Sequence, residues 1–307
     1  MAVIDFSMEN LKPGTSQWVS AREKVRRAFE DCGFFVANFD KVGREIHSTL
    51  FPIVQEMFDL PIEIKIKNTG NKPYDGYMGQ YNYLPLYESL SIRNPTAMEA
   101  IQSFTQLMWP SGNNQFRQSV LSVSKNIAEL NETVIRMLFE SYGVERFVEN
   151  YVRSIDYQLR FFGYRVPQED ESDVGVKPHT DKSFMTILYQ NQVDGLQAKT
   201  KDGEWVDVKL SPSSFLVLAG DALMAWSNDR IAPCNHQVVM RKNERRYSLG
   251  LFTAIDGIIQ VPEELQDEEH PLKYKPFNHS DYLRRTQSEQ TTQPKCFIKD
   301  YYGVSDL

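Results

Sequence analysis

A chain of 307 residues, 41% apolar and 24% charged, has enough material for a large buried core and needs no covalent staple to fold. A formal net charge of -7 argues against a nucleic-acid partner, because phosphate binding relies on clustered Lys and Arg; the one basic cluster, Arg241, Lys242, Arg245 and Arg246, is too short for such a footprint. Cys32, Cys234 and Cys296 are odd in number and lack any CxxC spacing, so a reducing, cytoplasmic setting is expected. Asp5 and Glu9 interrupt the first apolar run, which excludes a leader of the usual pattern, and no run of about 18 apolar residues predicts a membrane partner.

Residues 1–155 read mostly as helix. From Ser16, the residues Trp18, Ala21, Val25, Ala28 and Phe29 recur at helical spacing behind a Thr15 or Ser16 cap, and Gly33 ends the pattern. A second helix is predicted from about Lys41 to Phe58, closed by Pro61. The segment Asn68 to Pro95 mixes glycine and proline with Tyr74, Tyr77, Tyr81, Tyr83 and Tyr87, and reads as a loop lying over something. Gln115 to Tyr142 carries Val120, Val123, Ile127, Leu130, Val134, Met137 and Leu138 on one stripe, a scaffold helix.

Residues 156–262 change to short apolar runs between turns. Strands are predicted at Tyr157–Tyr164, Phe184–Tyr189, Gly195–Ala198, Trp205–Val208, Phe215–Leu218, Leu223–Trp226, Gln237–Arg241, Arg246–Thr253 and Ile258–Val261. Many short strands at such spacing predict a sandwich or jelly roll rather than a βαβ fold. Residues 263–307 read as a short helix and tail packing on that core, with His270 and His279 in an acidic or proline-containing stretch.

The chemistry starts at His179-Thr-Asp181. Side chains two apart on extended backbone point the same way, so both can share one metal, with His236 as a third ligand before the apolar run QVVM. Two imidazoles and one carboxylate on one face of an iron leave about three positions open for cosubstrate and oxygen. Alone, an HxD is a weak signal, more often a hydrogen-bonded strand histidine or a turn than a metal site. Ten residues beyond His236, Arg246-Tyr-Ser248 opens a strand whose alternation puts Arg246, Ser248, Gly250 and Phe252 on one face. An arginine at the inner end of an apolar strand is costly without an anion, and its planar fork beside a serine hydroxyl matches a carboxylate.

With these elements in view, the chain resembles the plant-type Fe(II)/2-oxoglutarate-dependent dioxygenases. HxD, the distant His and RxS occur at the family's separations. Val193-Asp-Gly-Leu-Gln197, Asp202-Gly-Glu-Trp205, Gly220-Asp221, Val3-Ile-Asp-Phe6 and Cys32-Gly-Phe-Phe35 also match. The HTDKSFMTILYQN run and Asp-Gly-Glu-Trp look most like the AOP-like dioxygenases of specialised metabolism. The resemblance implies a mainly β fold with flanking helices, a double-stranded β-helix (jelly-roll) core and a helical N-terminal region. It implies Fe(II) on His179, Asp181 and His236, and 2-oxoglutarate with its distal carboxylate on Arg246 and Ser248. Tyr164 aligns with a family tyrosine at that carboxylate, although Phe162-Gly-Tyr164-Arg departs from the usual Asn-Tyr-Tyr-Pro. Ascorbate is the implied reductant.

Because Asp181 is retained where halogenating relatives lack a carboxylate, hydroxylation is the leading outcome the resemblance implies, with desaturation, demethylation or ring closure open to the same chemistry. A small, largely apolar plant metabolite is the expected substrate, turned over by a monomer with O2 and 2-oxoglutarate. Phe252, Phe184, Trp226, Tyr77 and Tyr81 are candidate pocket residues, each as compatible with core packing. Oxidation of an auxin- or gibberellin-type hormone fits the same motifs. A barrel that binds without catalysis is opposed by the intact ligand set and Arg246.

Overall fold

The apolar stripe of the first helix is laid down as its spacing requires. The protein is described here by a computed structural model covering residues 1–42, 44–241, 243–289 and 297–304; Lys242 of the basic cluster and Cys296 lie outside the described residues. After β1 (Val3–Asp5), α1 (Ser16–Cys32) is capped by Thr15, whose side chain accepts from the Trp18 N–H, and buries Trp18, Ala21, Val25, Ala28 and Phe29. It ends at Gly33 with φ 74°, where a Cβ would also overlap the Ala232 carbonyl, so only glycine fits. There follow β2 (Phe34–Asn38), α2 (Arg44–Asp59), α3 (Ile62–Lys65), β3 (Met78–Tyr81), β4 (Leu84–Arg93), α4 (Met98–Met108), α5 (Asn114–Ser141) and α6 (Val148–Arg153).

The strand-rich half is β5 (Ile155–Tyr164), β6 (Val174–His179), β7 (Met185–Gln190), β8 (Leu196–Lys199), β9 (Trp205–Asp207), β10 (Ser214–Ala219), α7 (Asp221–Trp226), β11 (His236–Val239) and β12 (Arg246–Ile255), then β13 (Ile258–Ile259), β14 (Phe277–Asn278), α8 (His279–Ser288) and α9 (Phe297–Tyr302). From β5 to β12 the chain passes between two sheets, with β9 added as a hairpin partner of β8. The large sheet has the order β1-β2-β10-β7-β12-β5-β4-β3 and the small one β6-β11-β8-β9. This is the expected double-stranded β-helix.

The large sheet has two distinct faces. Its outer face, with Leu159, Phe161, Ile187, Tyr189, Leu249 and Leu251, belongs to one core with the buried stripe of α5. Its inner face joins the small sheet in a second apolar cluster that includes Phe34, Val36, Leu216, Leu218, Leu196, Ala198 and Val238. A period of two along each strand separates them.

Two expectations are corrected. Leu223–Trp226 is helix, within α7, not strand: every residue of that turn is buried, so its apolar run carries neither a period of two nor of 3.6. Much of Asn68–Pro95 is no loop, because β3 and β4 form a hairpin that completes the edge of the large sheet. The first 155 residues therefore supply β1 to β4 as well as helices. The short strands β1, β2, β6 and β14 and the helices α3, α4 and α6 have no counterpart in the sequence reading.

Candidate metal centre

His179 ends β6 and His236 begins β11, and the two are direct cross-strand partners on the small sheet. Their rings lie 4.2 Å apart between centroids. Asp181 sits just past β6, where the chain crosses toward β7. Its Oδ1 is 3.6 Å from His179 Nε2 and 3.9 Å from His236 Nε2. His179 Nδ1 lies 2.9 Å from the Lys177 carbonyl and His236 Nδ1 lies 3.2 Å from the Cys234 carbonyl. A carbonyl only accepts, so both Nδ1 atoms carry hydrogen and both Nε2 lone pairs face Asp181. One ligand atom from each of the three residues falls within 4.8 Å of the others.

This arrangement fits a divalent ion on its own chemistry. Among the described residues Asp181 Oδ2 is buried without a hydrogen-bond partner, a costly condition that a cation relieves. Desolvation at the centre, and then the neighbouring His236, lower the pKa of His179 below that of a free imidazole, which favours the neutral ring that ligation requires. Three protein ligands of the N,N,O type leave the remaining positions of an iron open.

Along the inner face of β12, Arg246 and Ser248 precede Gly250 and Phe252, as alternation predicts. Arg246 is 2% exposed. Its Nη1 donates to Ser248 Oγ at 3.1 Å and its Nη2 to Gln190 Oε1 at 2.7 Å, while its Nε is buried with no partner. The guanidinium carbon lies 5.2 Å from the centroid of the Tyr164 ring. Among the described residues no carboxylate comes within ion-pair distance of this cation, and burial pushes its pKa down. A partly unsatisfied guanidinium deep in a barrel is a receptor for a carboxylate. Gly195, at φ 147°, lets the approach to β8 pass close to Arg246, where a Cβ would reach 3.4 Å from Arg246 Cδ.

Between the arginine and the strand ends, the inner face carries an apolar patch beside the polar Gln158 and Arg160. On β5, β7 and β12 nearly every residue is buried, yet Phe162, Leu188 and Phe252 are only half-buried. All three converge on Gly250: a Cβ there would lie 2.8 Å from Leu188 Cδ2, 2.9 Å from Phe252 Cε2 and 3.4 Å from Phe162 Cε2. Phe252 was anticipated; Phe162, Leu188 and Gln190 were not, although register with Arg246-x-Ser248-x-Gly250-x-Phe252 is the signal that finds them.

Phe184 and Trp226 are corrected as pocket walls. Both lie in the helix-covered outer core, where Trp226 stacks on Phe139 at 4.5 Å and Phe184 meets Trp226 at 5.9 Å. Tyr77 packs against that same outer core, and Tyr81 stacks on Tyr83 and lines a groove of about 410 Å³ with Tyr87, Tyr164 and Arg245. The part of the tyrosine-rich segment gripped by the inner face is residues 73–76. Gln158 Nε2 donates to the Tyr74 carbonyl at 2.9 Å and to Asp75 at 2.8 Å, Arg160 donates to the Tyr74 and Gly76 carbonyls, and Arg93 pairs with Asp75 at 2.6 Å. Tyr74 adopts φ 60°, rare for an aromatic residue, and reaches Thr286 Oγ1 of α8 at 3.2 Å.

Fold and centre together define a non-haem Fe(II) oxygenase of the double-stranded β-helix type. The 2OG-Fe(II) oxygenase superfamily model matches residues 146–255, and the model of the non-haem dioxygenase in morphine synthesis N-terminal matches residues 1–110. A probable 2-oxoglutarate-dependent dioxygenase AOP1 of Arabidopsis thaliana is 41% identical over 94% of this chain and 91% of its own length. The crystal structure of a dioxygenase for auxin oxidation from rice superposes with a TM-score of 0.82 at 26% identity, covering 99% of this chain and 100% of the rice chain. The 2-oxoglutarate complex of the Arabidopsis thaliana dioxygenase for auxin oxidation 1 gives 0.76 at 26% identity, over 88% of this chain and 99% of that one. The chain belongs to the 2-oxoglutarate-dependent dioxygenases of the 2OG-Fe(II) oxygenase superfamily. It is an enzyme of the oxidoreductase class.

Proposed function

We propose that this dioxygenase oxidises, by hydroxylation, a small and largely apolar plant specialised metabolite. The observation that carries the substrate class is the trio Phe162, Leu188 and Phe252 left half-buried over Gly250 on the inner face. An open apolar surface inside a barrel is stabilised by a ligand that removes it from water, at about 25 cal/mol per Å². The AOP-named relatives, at 41% identity, support placement in specialised metabolism.

In this reading His179, Asp181 and His236 hold Fe(II) through Nε2, a carboxylate oxygen and Nε2. Arg246 and Ser248 bind the distal carboxylate of 2-oxoglutarate, with Gln190 fixing the guanidinium and Tyr164 flanking it. Fe(II) held there would, with 2-oxoglutarate and O2, supply oxidative decarboxylation to succinate and CO2, one oxygen atom entering succinate and the other a substrate C–H bond, with ascorbate as the reductant that would keep the ion ferrous. The chain orients these partners, and the segment 73–76 narrows access from water. Anaerobic Fe(II) and 2-oxoglutarate should give the weak visible charge-transfer band of the chelate, and folded, metal-loaded protein lacking it refutes the reading. Succinate release across a metabolite panel then selects the substrate.

One observation favours a second reading, oxidation of an acidic hormone of the auxin type. Arg160 is buried on the same inner face, and its hydrogen-bond partners are the neutral Ser89 hydroxyl and the carbonyls of Tyr74 and Gly76. A substrate carboxylate meeting that charge gives auxin preference over neutral indoles in the panel; equal turnover of both rejects it.

A further inference from the structure

His279 sits at the start of α8, far along the chain from the metal ligands, and is fully buried. Both of its ring nitrogens are engaged. The N–H of Ile255, at the end of β12, donates to Nδ1 at 3.0 Å. Nδ1 is therefore an acceptor, which leaves the hydrogen on Nε2, and Nε2 donates to the carbonyl of Lys182 at 2.9 Å. Lys182 directly follows Asp181.

The other side of that crossing is held by the start of α7. The N–H groups of Gly220, Asp221 and Ala222 donate to the carbonyls of Phe184, Asp181 and Ser183 at 3.2, 2.8 and 3.3 Å. A Cβ on Gly220 would overlap the Ser183 carbonyl, so the two backbones touch. Asp221 Oδ2 pairs with Lys182 Nζ at 2.6 Å and accepts from Tyr282 Oη at 2.8 Å, and Tyr282 lies one turn after His279 on α8. The crossing is thus clamped between α7 and α8. Asp181 itself has one carboxylate oxygen without any hydrogen bond. Among the described residues no side-chain hydrogen bond aims that oxygen, so its direction is set by the backbone of residues 180–183.

We propose that His279 is a positioning residue of the metal centre: through the Lys182 carbonyl it fixes the backbone that aims Asp181 at the ion, with Tyr282 and Asp221 locking the same crossing. Outer partners that orient ligands ordinarily change metal affinity by about 10- to 100-fold when lost. The His279–Lys182 bond acts in that way, one residue removed from the ligand.

The test is anaerobic Fe(II) titration of the full chain, with melting by circular dichroism recorded in parallel. His279→Leu is expected to weaken Fe(II) binding by about 10- to 100-fold in a protein that still melts cooperatively. His279→Gln, which keeps a donor, is expected to recover most of that loss. Asn131→Leu supplies the control, since Asn131 is equally buried but bonds Tyr157 Oη and Thr253 Oγ1 on the helical side of the sheet. It should lower the melting temperature and leave Fe(II) affinity unchanged. Wild-type affinity in folded His279→Leu, or the same loss of affinity in Asn131→Leu, overturns the proposal. If His279→Leu does not fold, Tyr282→Phe decides it: a several-fold loss supports the clamp and unchanged affinity overturns it. The proposal rests on the iron-centre reading, and the two fail differently. Wild-type protein that binds no Fe(II) overturns both, whereas wild type and variants that bind alike overturn only the role of His279.

Discussion

Gln190 Oε1 accepts from Arg246 Nη2 at 2.7 Å, and this neutral amide stands where a carboxylate would ordinarily neutralise a buried guanidinium. Gln190 fixes the fork without cancelling its charge, which leaves Arg246 able to bind an anion. Arg246→Leu should therefore weaken 2-oxoglutarate binding by about 30- to 5,000-fold, the 2–5 kcal/mol that losing one member of a buried charged pair costs. Arg246→Lys keeps the charge but loses the planar fork and should fall between. Fe(II) affinity should hold in both; unchanged 2-oxoglutarate affinity, read from the visible band, rejects the role of Arg246.

Metal and cosubstrate should stabilise the fold because the ligand set is assembled only in the native state. With Fe(II) near 100 times its dissociation constant, linkage supplies about 2.7 kcal/mol, a rise of several degrees in melting temperature, and 2-oxoglutarate at the same excess adds about as much again. Asp181→Ala removes the one anionic ligand and should abolish that rise. A melting curve of Asp181→Ala that still responds to Fe(II) would place the ion elsewhere.

Phe184 and Trp226 test whether the apolar walls have been separated correctly from the core. Both are buried with Phe139 and Tyr151 on the helical side, so Phe184→Ala or Trp226→Ala should cost about 3–5 kcal/mol of stability while leaving KM for the substrate unchanged. Phe252→Ala, on the open inner face, should do the reverse: a small change in melting temperature and an altered substrate preference, measured on one metabolite panel. A preference shift in Trp226→Ala contradicts this placement.

What could be read from the sequence follows from the reach of local patterns. Strand alternation places Arg246, Ser248, Gly250 and Phe252 on one face before any coordinates exist, and the helical spacing of Trp18 to Phe29 fixes α1 to its cap residues. The Leu223–Trp226 turn defeats the same reasoning because it is buried all round, so no periodicity distinguishes helix from strand. In β4 the polar inner residues Ser91 and Arg93 hold residues 73–76, and the glycines, prolines and tyrosines around the β3–β4 hairpin carry no strand alternation strong enough to override a loop reading. His279 was hidden for a different reason: its partner, Lys182, lies nearly a hundred residues upstream. A composition of Pro, Lys and Asp around a histidine says nothing about a contact of that range.

His279 also predicts how stability varies with pH. Burial holds its folded pKa at about 4, below the ordinary imidazole value of 6.5. Above pH 6.5 the ring is neutral in both folded and unfolded chains, and the shift contributes nothing. As pH falls through 6.5 the unfolded chain takes up a proton that the folded chain refuses, so stability declines until about pH 4, by roughly 3 kcal/mol in total. Both ring nitrogens are already committed, one accepting from Ile255 and one donating to Lys182, so protonation breaks the Ile255 bond. His179 carries a shift of the same sign, hence the comparison must be wild type against His279→Gln rather than wild type alone. Urea midpoints of the metal-free proteins between pH 7.5 and 4.5 should fall less steeply in the variant. Parallel slopes mean that the unfolded chain gains no extra proton at His279, and the buried neutral ring is then wrong.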